Sequence, residues 1–227
     1  MKRSEINSAI AWAKDLLKKN NITLPKMAYW SMDEWKKNAD KLATVRKVML
    51  GWDITDFGTN NFDEIGGVLY TVRNGDMNNP EIGVPYCEKY IIMKEGQRLP
   101  KHYHVFKTED IINRAGGVLY VKLWNADPAT GEELDTDVHV YMDGIEHVVK
   151  AGEDILVEPG SSISLAPYVA HIFGPQAGTG DLVVGEVSKV NDDNTDNYFL
   201  EDTARFAKIE EDEAIVHPLC NEYDSVL

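Results

Sequence analysis

The sequence predicts a mainly β protein, a sandwich or barrel of short antiparallel strands preceded by two helices and followed by a short C-terminal extension. Three observations carry that expectation. From Gly51 to about residue 190, β-branched and aromatic runs alternate with glycine and Asn/Asp turns, the pattern of short strands joined by tight connections. The turn signals recur at intervals of roughly 8–12 residues, and no long helical pattern intervenes, which favours a sandwich or barrel over a parallel sheet. Before Gly51, by contrast, the apolar residues are spaced as in helices.

Ile6, Ile10, Ala13 and Leu17 recur at steps of three and four between Ser4 and about Lys19, giving a first helix one apolar face. Asn20-Asn21 ends it. After Pro25, Ser31-Met-Asp-Glu34 reads as a capping box opening a second helix, with Trp35, Ala39, Leu42, Val45 and Met49 on one side. Strands are expected at 68–73, 86–94, 101–106, 118–124, 138–142, 147–149, 155–157, 162–165, 171–173 and 182–187. The string Gly-Gly-Val-Leu-Tyr at 66–70 and 116–120 reads as two similar strand entries, since nothing else recurs at that period. The expected division is a helical extension over 1–60 packed on the barrel, a β-barrel over 61–190, and a polar loop with an acidic extension over 191–227. An EF-hand in that polar loop is disfavoured, because the sixth and twelfth residues from Asp192 are Asn197 and Thr203 where glycine and glutamate are needed.

Among 227 residues, 23 Lys and Arg face 38 Asp and Glu, a net charge of −15. Such an acidic surface repels nucleic acid and anionic lipid, so a small molecule or another protein is the expected partner. Cys87 and Cys220 stand far apart, without a CxxC pair, so neither a disulfide framework nor a thiolate zinc site is expected. Charged residues interrupt every apolar run of the opening MKRSEINSAIAWAKDLL, so neither a secretory signal nor a membrane span is read there, and a cytoplasmic protein is expected.

The chemistry concentrates in Pro100-Lys-His102-Tyr-His104-Val-Phe-Lys107-Thr-Glu109-Asp110. Residues two apart on a strand share a face, so His102 and His104 can reach one metal ion, and Glu109 can return a carboxylate to the same side. Imidazole and carboxylate suit Mn, Fe, Co, Ni or Zn. An H-x-H pair alone is a weak signal, but its flanks strengthen it. Gly96, five residues, His102-x-His104, four residues, Glu109, six residues, Gly116 matches the first motif of the cupin superfamily at every fixed position. That resemblance implies a double-stranded β-helix, a jelly-roll barrel, and a third histidine from a second motif. There the sequence departs from the pattern, since six residues separate Gly152 from Pro159-Gly160 and the next histidine is His171, with Pro175 at the motif's final asparagine. His171 follows a proline turn and opens an apolar strand, as that ligand does in cupins; His139, His147 and His217 are its rivals.

If the chain stays extended past His104, Lys107 has the parity of Glu109 and both enter the pocket, while Lys101 faces outward. In Leu182-Val-Val-Gly-Glu186-Val-Ser188, Glu186 and Ser188 share one face and the valines Val183 and Val187 the other. With Glu186 inward it is a candidate proton carrier; the reverse facing would bury the valines instead. The two helices, Pro100-x-His-x-His-x-x-Lys-x-Glu-Asp-Ile-Ile-Asn-Arg114 and Glu186-Val-Ser-x-Val-Asn-Asp-Asp193 together resemble the D-lyxose isomerase family of cupins over nearly the whole chain. The resemblance implies aldose–ketose isomerisation of D-lyxose to D-xylulose, with D-mannose to D-fructose beside it, at a manganese-type divalent ion held by His102, His104, Glu109 and His171. Under this reading Glu186 moves the proton through a cis-enediol, Lys107 assists at an oxygen, and Lys107, Glu186 and Asp193 bind the sugar. Cupin resemblance also implies a homodimer. No phosphate-cradling P-loop is present, which favours a free sugar. A metal-dependent cupin oxygenase and a non-catalytic sugar-binding cupin are the alternatives.

Overall fold

In the computed structural model, which describes residues 1–227, the change of apolar period at Gly51 is also the change from helix to strand. Helix α1 spans Arg3–Lys19 and buries Ile6, Ile10, Ala13 and Leu17, the face its spacing predicts. The second helical region is broken. Helix α2 (Met32–Lys37) starts on the expected capping box, in which the Glu34 amide donates to Ser31 Oγ (3.3 Å) and the Ser31 amide to Glu34 Oε2 (2.8 Å). It stops at Asn38, whose side-chain amide donates to the Glu34 carbonyl at 2.9 Å and so competes with the next helical turn. A 3₁₀ turn at Ala39–Lys41 and helix α3 (Ala43–Lys47) follow. Trp35 and Leu42 still reach one small core, shared with Cys220 and Tyr223 near the C-terminal helix α4 (Tyr223–Val226).

The strands are β1 (Gly51–Thr55), β2 (Gly67–Asp76), β3 (Asn79–Met93), β4 (His102–Tyr103), β5 (Glu109–Gly116), β6 (Leu119–Ala126) and β7 (Glu133–Leu134). After them come β8 (Val138–Met142), β9 (Ile145–Val149), β10 (Ile155–Val157), β11 (Ser162–Leu165), β12 (Val169–Pro175), β13 (Leu182–Lys189) and β14 (Tyr198–Phe199). They form two antiparallel sheets, ordered β1-β2-β3-β13-β5-β11-β8-β9 and β10-β6-β12-β4-β14, with β7 on β6. Leu69, Ile91 and Val184 of the first sheet pack with Leu119, Val121 and Phe173 of the second in one core. This is the expected jelly-roll barrel. No helix is long and apolar enough to cross a membrane.

Three boundaries differ from expectation. The strand expected at 101–106 shrinks to His102–Tyr103, because the chain bends away from the ladder after His104. Strand β1 pairs with β2 from Gly51↔Thr71 to Thr55↔Gly67, so the segment read as a helical extension supplies an edge of the sheet. Strand β14 pairs Phe199 with His102, so the C-terminal segment also enters the barrel. Helix α1 lies on the outer face of the first sheet, where Ile6 and Ile10 pack with Val68, Tyr70, Ile92 and Val183. Strand β13 is consequently buried on both faces, Leu182 and Val184 in the barrel and Val183 under the helix.

The C-terminal segment is tied to the N-terminal one. Buried Arg3 pairs with Glu211 (2.6 Å) and Glu222, and the Tyr223 hydroxyl donates to the Leu50 carbonyl at 2.6 Å. His217 lies buried with Nε2 at 3.1 Å from Lys14 Nζ of α1, and burial, followed by the Lys14 charge, pushes its pKa down to about 4. Two outcomes are expected. Ile10→Ala removes a fully buried side chain and should cost about 2–5 kcal/mol in denaturant unfolding. Between the ordinary histidine pKa of about 6.5 and the depressed folded value, the unfolded chain binds more protons at His217. Its stabilising contribution is therefore complete above about pH 6.5 and fades as pH falls towards 4, so His217→Gln should flatten the decline of unfolding free energy over that window; an unchanged slope would contradict the assignment.

Candidate active site

The ligating atoms of His102, His104, Glu109 and His171 all lie within 4.8 Å of one another, and all four side chains are buried. Strand pairing builds the cluster from distant sequence. His171 of β12 sits directly opposite His102 of β4, His104 follows β4, and Glu109 is the first residue of β5. The motif glycines close the turns at either end, since Gly96 and Gly116 both have φ of 92°, where a side chain is strained.

Each imidazole is oriented by a backbone carbonyl. Nδ1 of His102 donates to Pro100 O at 2.9 Å, Nδ1 of His171 to Val169 O at 3.0 Å, and Nδ1 of His104 to Asp196 O. That leaves the Nε2 lone pairs to converge, and the buried Nε2 atoms of His104 and His171 have no hydrogen-bond partner. Glu109 Oε1 lies 3.2 Å from His171 Nε2 and 3.5 Å from His104 Nε2. Burial, reinforced by the neighbouring imidazoles, holds His102 well below the usual histidine pKa; burial and then the Lys107 charge lower His104. Imidazoles with fixed tautomers and unpartnered Nε2 lone pairs converging beside a carboxylate are what a divalent transition-metal site requires. The residues fit such an ion.

Beside this cluster Lys107 Nζ forms an ion pair with Glu109 Oε2 (2.9 Å) and donates hydrogen bonds to Glu186 Oε1 (3.1 Å) and Asn191 Oδ1 (3.0 Å). Burial is the largest single effect at Glu109 and Glu186 and would raise both carboxyls, but Lys107 together with His104 at Glu109 and with Lys89 at Glu186 outweighs it, so each is held below the ordinary value. Glu186 thus faces inward with Ser188, whose hydroxyl is 3.4 Å away. Asp193 lines the same cavity, clamped by Arg205 Nε at 3.1 Å and kept ionised by Arg205 and Lys89 against the effect of burial. Lys101 faces outward over Trp124 (3.6 Å to the ring centroid).

The rivals for the third histidine lie elsewhere. His139 and His147 are exposed on the β8–β9 hairpin, and His217 packs under α1. Strand β11 and the turn at 166–168 fill the unexpected interval between Gly160 and His171. Two charged residues of the cavity, Lys89 and Arg205, are not among those the sequence pattern marks. Lys89, 3.5 Å from Glu186, shares the inward parity of Cys87, Ile91 and Met93 on β3, and a lysine on that buried face was the available signal. Arg205 arrives from a loop with no periodic pattern, and nothing local marks it.

A family model described as D-lyxose isomerase matches residues 1–223. A D-lyxose/D-mannose isomerase of Escherichia coli O157:H7 is 42% identical over 224 residues, covering 98% of this chain and 98% of that one. One from Serratia proteamaculans is 40% identical with the same coverage. Among solved structures, L-ribose isomerase of Cellulomonas parahominis aligns over 92% of this chain and 98% of its own with a TM-score of 0.60 at 16% identity. That of Acinetobacter sp. DL28, in complex with L-ribose, aligns over 83% and 98% with a TM-score of 0.53 at 18% identity. At those identities the structural likeness speaks to the fold alone. Adding a divalent ion such as Mn2+ to metal-free protein is expected to raise its melting midpoint, by the equivalent of about 2.7 kcal/mol at a hundredfold excess over Kd. His171→Ala should abolish the rise; a midpoint indifferent to Mn, Fe, Co, Ni and Zn alike would count against a metal site.

Proposed function

The chain belongs to the D-lyxose isomerase family, and from that premise and the pocket's geometry we propose that it is a metal-dependent aldose–ketose isomerase interconverting D-lyxose and D-xylulose, and D-mannose and D-fructose. The observation that carries this reading is an ionised carboxylate, Glu186, ion-paired with the ammonium of Lys107 and buried beside a cluster of three imidazoles and one carboxylate. His102, His104, Glu109 and His171 would hold the ion, which we take to be Mn2+, with Co2+, Fe2+, Ni2+ or Zn2+ suited to the same donors. When bound, such an ion polarises a sugar carbonyl and acidifies the adjacent C–H.

The chain's own residues supply the remainder. Converting the aldose to the ketose transfers one proton from C2 to C1 and another from O2 to O1, through a cis-enediol. Glu186, unprotonated at neutral pH, accepts the C2 proton and returns it to C1. Lys107 donates hydrogen bonds where negative charge develops on the oxygens, and it resets the Glu186 carboxylate by the ion pair between them. Asp193, held by Arg205, presents a carboxylate to the hydroxyls farther along the sugar. Phe57, Leu99, Phe173 and Phe199 form apolar walls that keep water from the enediol. The cupin resemblance supports a homodimer, and the sugars for which the relatives are named, D-lyxose and D-mannose, support a free rather than a phosphorylated substrate.

Anaerobic incubation of the Mn2+-loaded protein with D-lyxose is the test. An isomerase produces ketose without oxygen; binding without turnover, or turnover that requires oxygen, would sink the proposal. Glu186→Gln should lower kcat by about 10²–10⁴-fold while metal stays bound, and near-normal turnover in that variant would remove Glu186 from its role.

A further inference from the structure

We propose that Asp196 is a positioning residue that sets two groups of the site at once, the imidazole of His104 and the ammonium of Lys107; the proposal rests on the isomerase reading for its kinetic consequences only. Strand β4 ends at Tyr103 and β5 begins at Glu109, so the amides between them lack ladder partners. Asp196, 1% exposed, supplies acceptors for three consecutive ones. Its Oδ1 accepts from the Val105 amide at 2.8 Å and the Phe106 amide at 3.1 Å, and its Oδ2 from the Lys107 amide at 3.2 Å. A carboxylate held in a concave row of amides is stabilised without a cation, and in return it fixes the bend. That bend is what turns Lys107 inward although the strand has ended.

The same residue's carbonyl accepts Nδ1–H of His104 and so selects the tautomer that leaves Nε2 free. Asp196 is itself anchored by its amide to Asp192 O at 3.1 Å, in a segment whose Asn191 takes a proton of Lys107 Nζ at 3.0 Å. Lys107 is therefore gripped at its backbone and at its ammonium by one piece of chain some 80–90 positions away in sequence, as the separations of 84 and 89 residues record. The two arms are chemically separable. In Asp196→Asn the retained Oδ1 keeps the Val105 and Phe106 amides, and only the Lys107 amide loses its acceptor and faces an NH₂ group. In Asp196→Ala all three amides are orphaned and the carbonyl that orients His104 is free to shift.

The experiment titrates Mn2+ into metal-free, full-length protein, with free Mn2+ followed by electron paramagnetic resonance. Melting midpoints and kcat and KM for D-lyxose at saturating Mn2+ are measured alongside. Asp196→Ala should weaken Mn2+ binding about 10–100-fold and lower kcat. Asp196→Asn should bind Mn2+ within about threefold of the natural chain yet lose about 10–100-fold in kcat with KM little changed. Wild-type kcat in Asp196→Asn, or wild-type Mn2+ affinity in a folded Asp196→Ala, would overturn the proposal, as would losses in both variants that merely track their melting midpoints. If Asp196→Ala fails to fold, the kcat of Asp196→Asn decides. Should the natural chain convert no sugar, the isomerase reading fails, while the Mn2+ affinities still decide whether Asp196 positions His104.

Discussion

The site depends on a buried line of alternating charges. It runs Glu109, Lys107, Glu186, Lys89, Asp193, Arg205, Asp53, with successive contacts of 2.9, 3.1, 3.5, 4.0, 3.1 and 2.6 Å. A single charge at such depth would cost several kcal/mol, and oppositely charged neighbours offset that cost, on both sides for the five inner members of the line. The line begins at an acid of the candidate metal cluster and ends on β1, at an edge of the sheet. Acids outnumber bases along it, so a divalent cation at the Glu109 end meets a local negative excess. The catalytic carboxylate proposed for the reaction is thus a middle link whose charge state is set by lysines on both sides.

This line constrains the fold as much as the chemistry. Its members come from β1, β3, β5 and β13 of one sheet and from the loops after β4, β13 and β14, so the pocket exists only when the C-terminal segment is seated. That seating is secured outside the barrel by Arg3 with Glu211 and Glu222, and by Tyr223 with Leu50. The helical covering of the sheet performs a related task, since it lets β13 bury Val183 outward while keeping Glu186 and Ser188 inward. Apolar burial on one face and ionic burial on the other are compatible only because each face has its own covering layer.

Much of this was legible. The 3.6-residue spacing of α1, the capping box at Ser31 and most strands follow from patterning, because they answer to local propensity and to one buried face. His102, His104 and Glu109 were legible because they stand within eight residues on a pattern with fixed glycines. The facing of Glu186 was not, since a strand buried on both sides has no polar face to mark its parity. Strand β5 is hidden for another reason, since Glu109, turned to the pocket, and Asn113, whose side-chain amide donates to Gly117 O in the turn, interrupt its apolar residues. Spacing alone predicts too long a second helix, because Asn38 closes it with a side-chain bond that the apolar pattern does not reveal.

What the sequence by itself determined is the class of fold, the helical face that covers it, and the nitrogen and oxygen donors of one metal-type motif. These are local consequences of residue type and spacing. Only the tertiary structure decided which histidine completes the cluster, because the β12–β4 register places His171 opposite His102 while His139 and His147 are left on an exposed hairpin. It also decided that Lys89, Asp196 and Arg205 join the site, since each arrives across contacts between segments far apart in the chain. Strand pairing and the matching of buried charges are long-range events, and no spacing along a single segment encodes them.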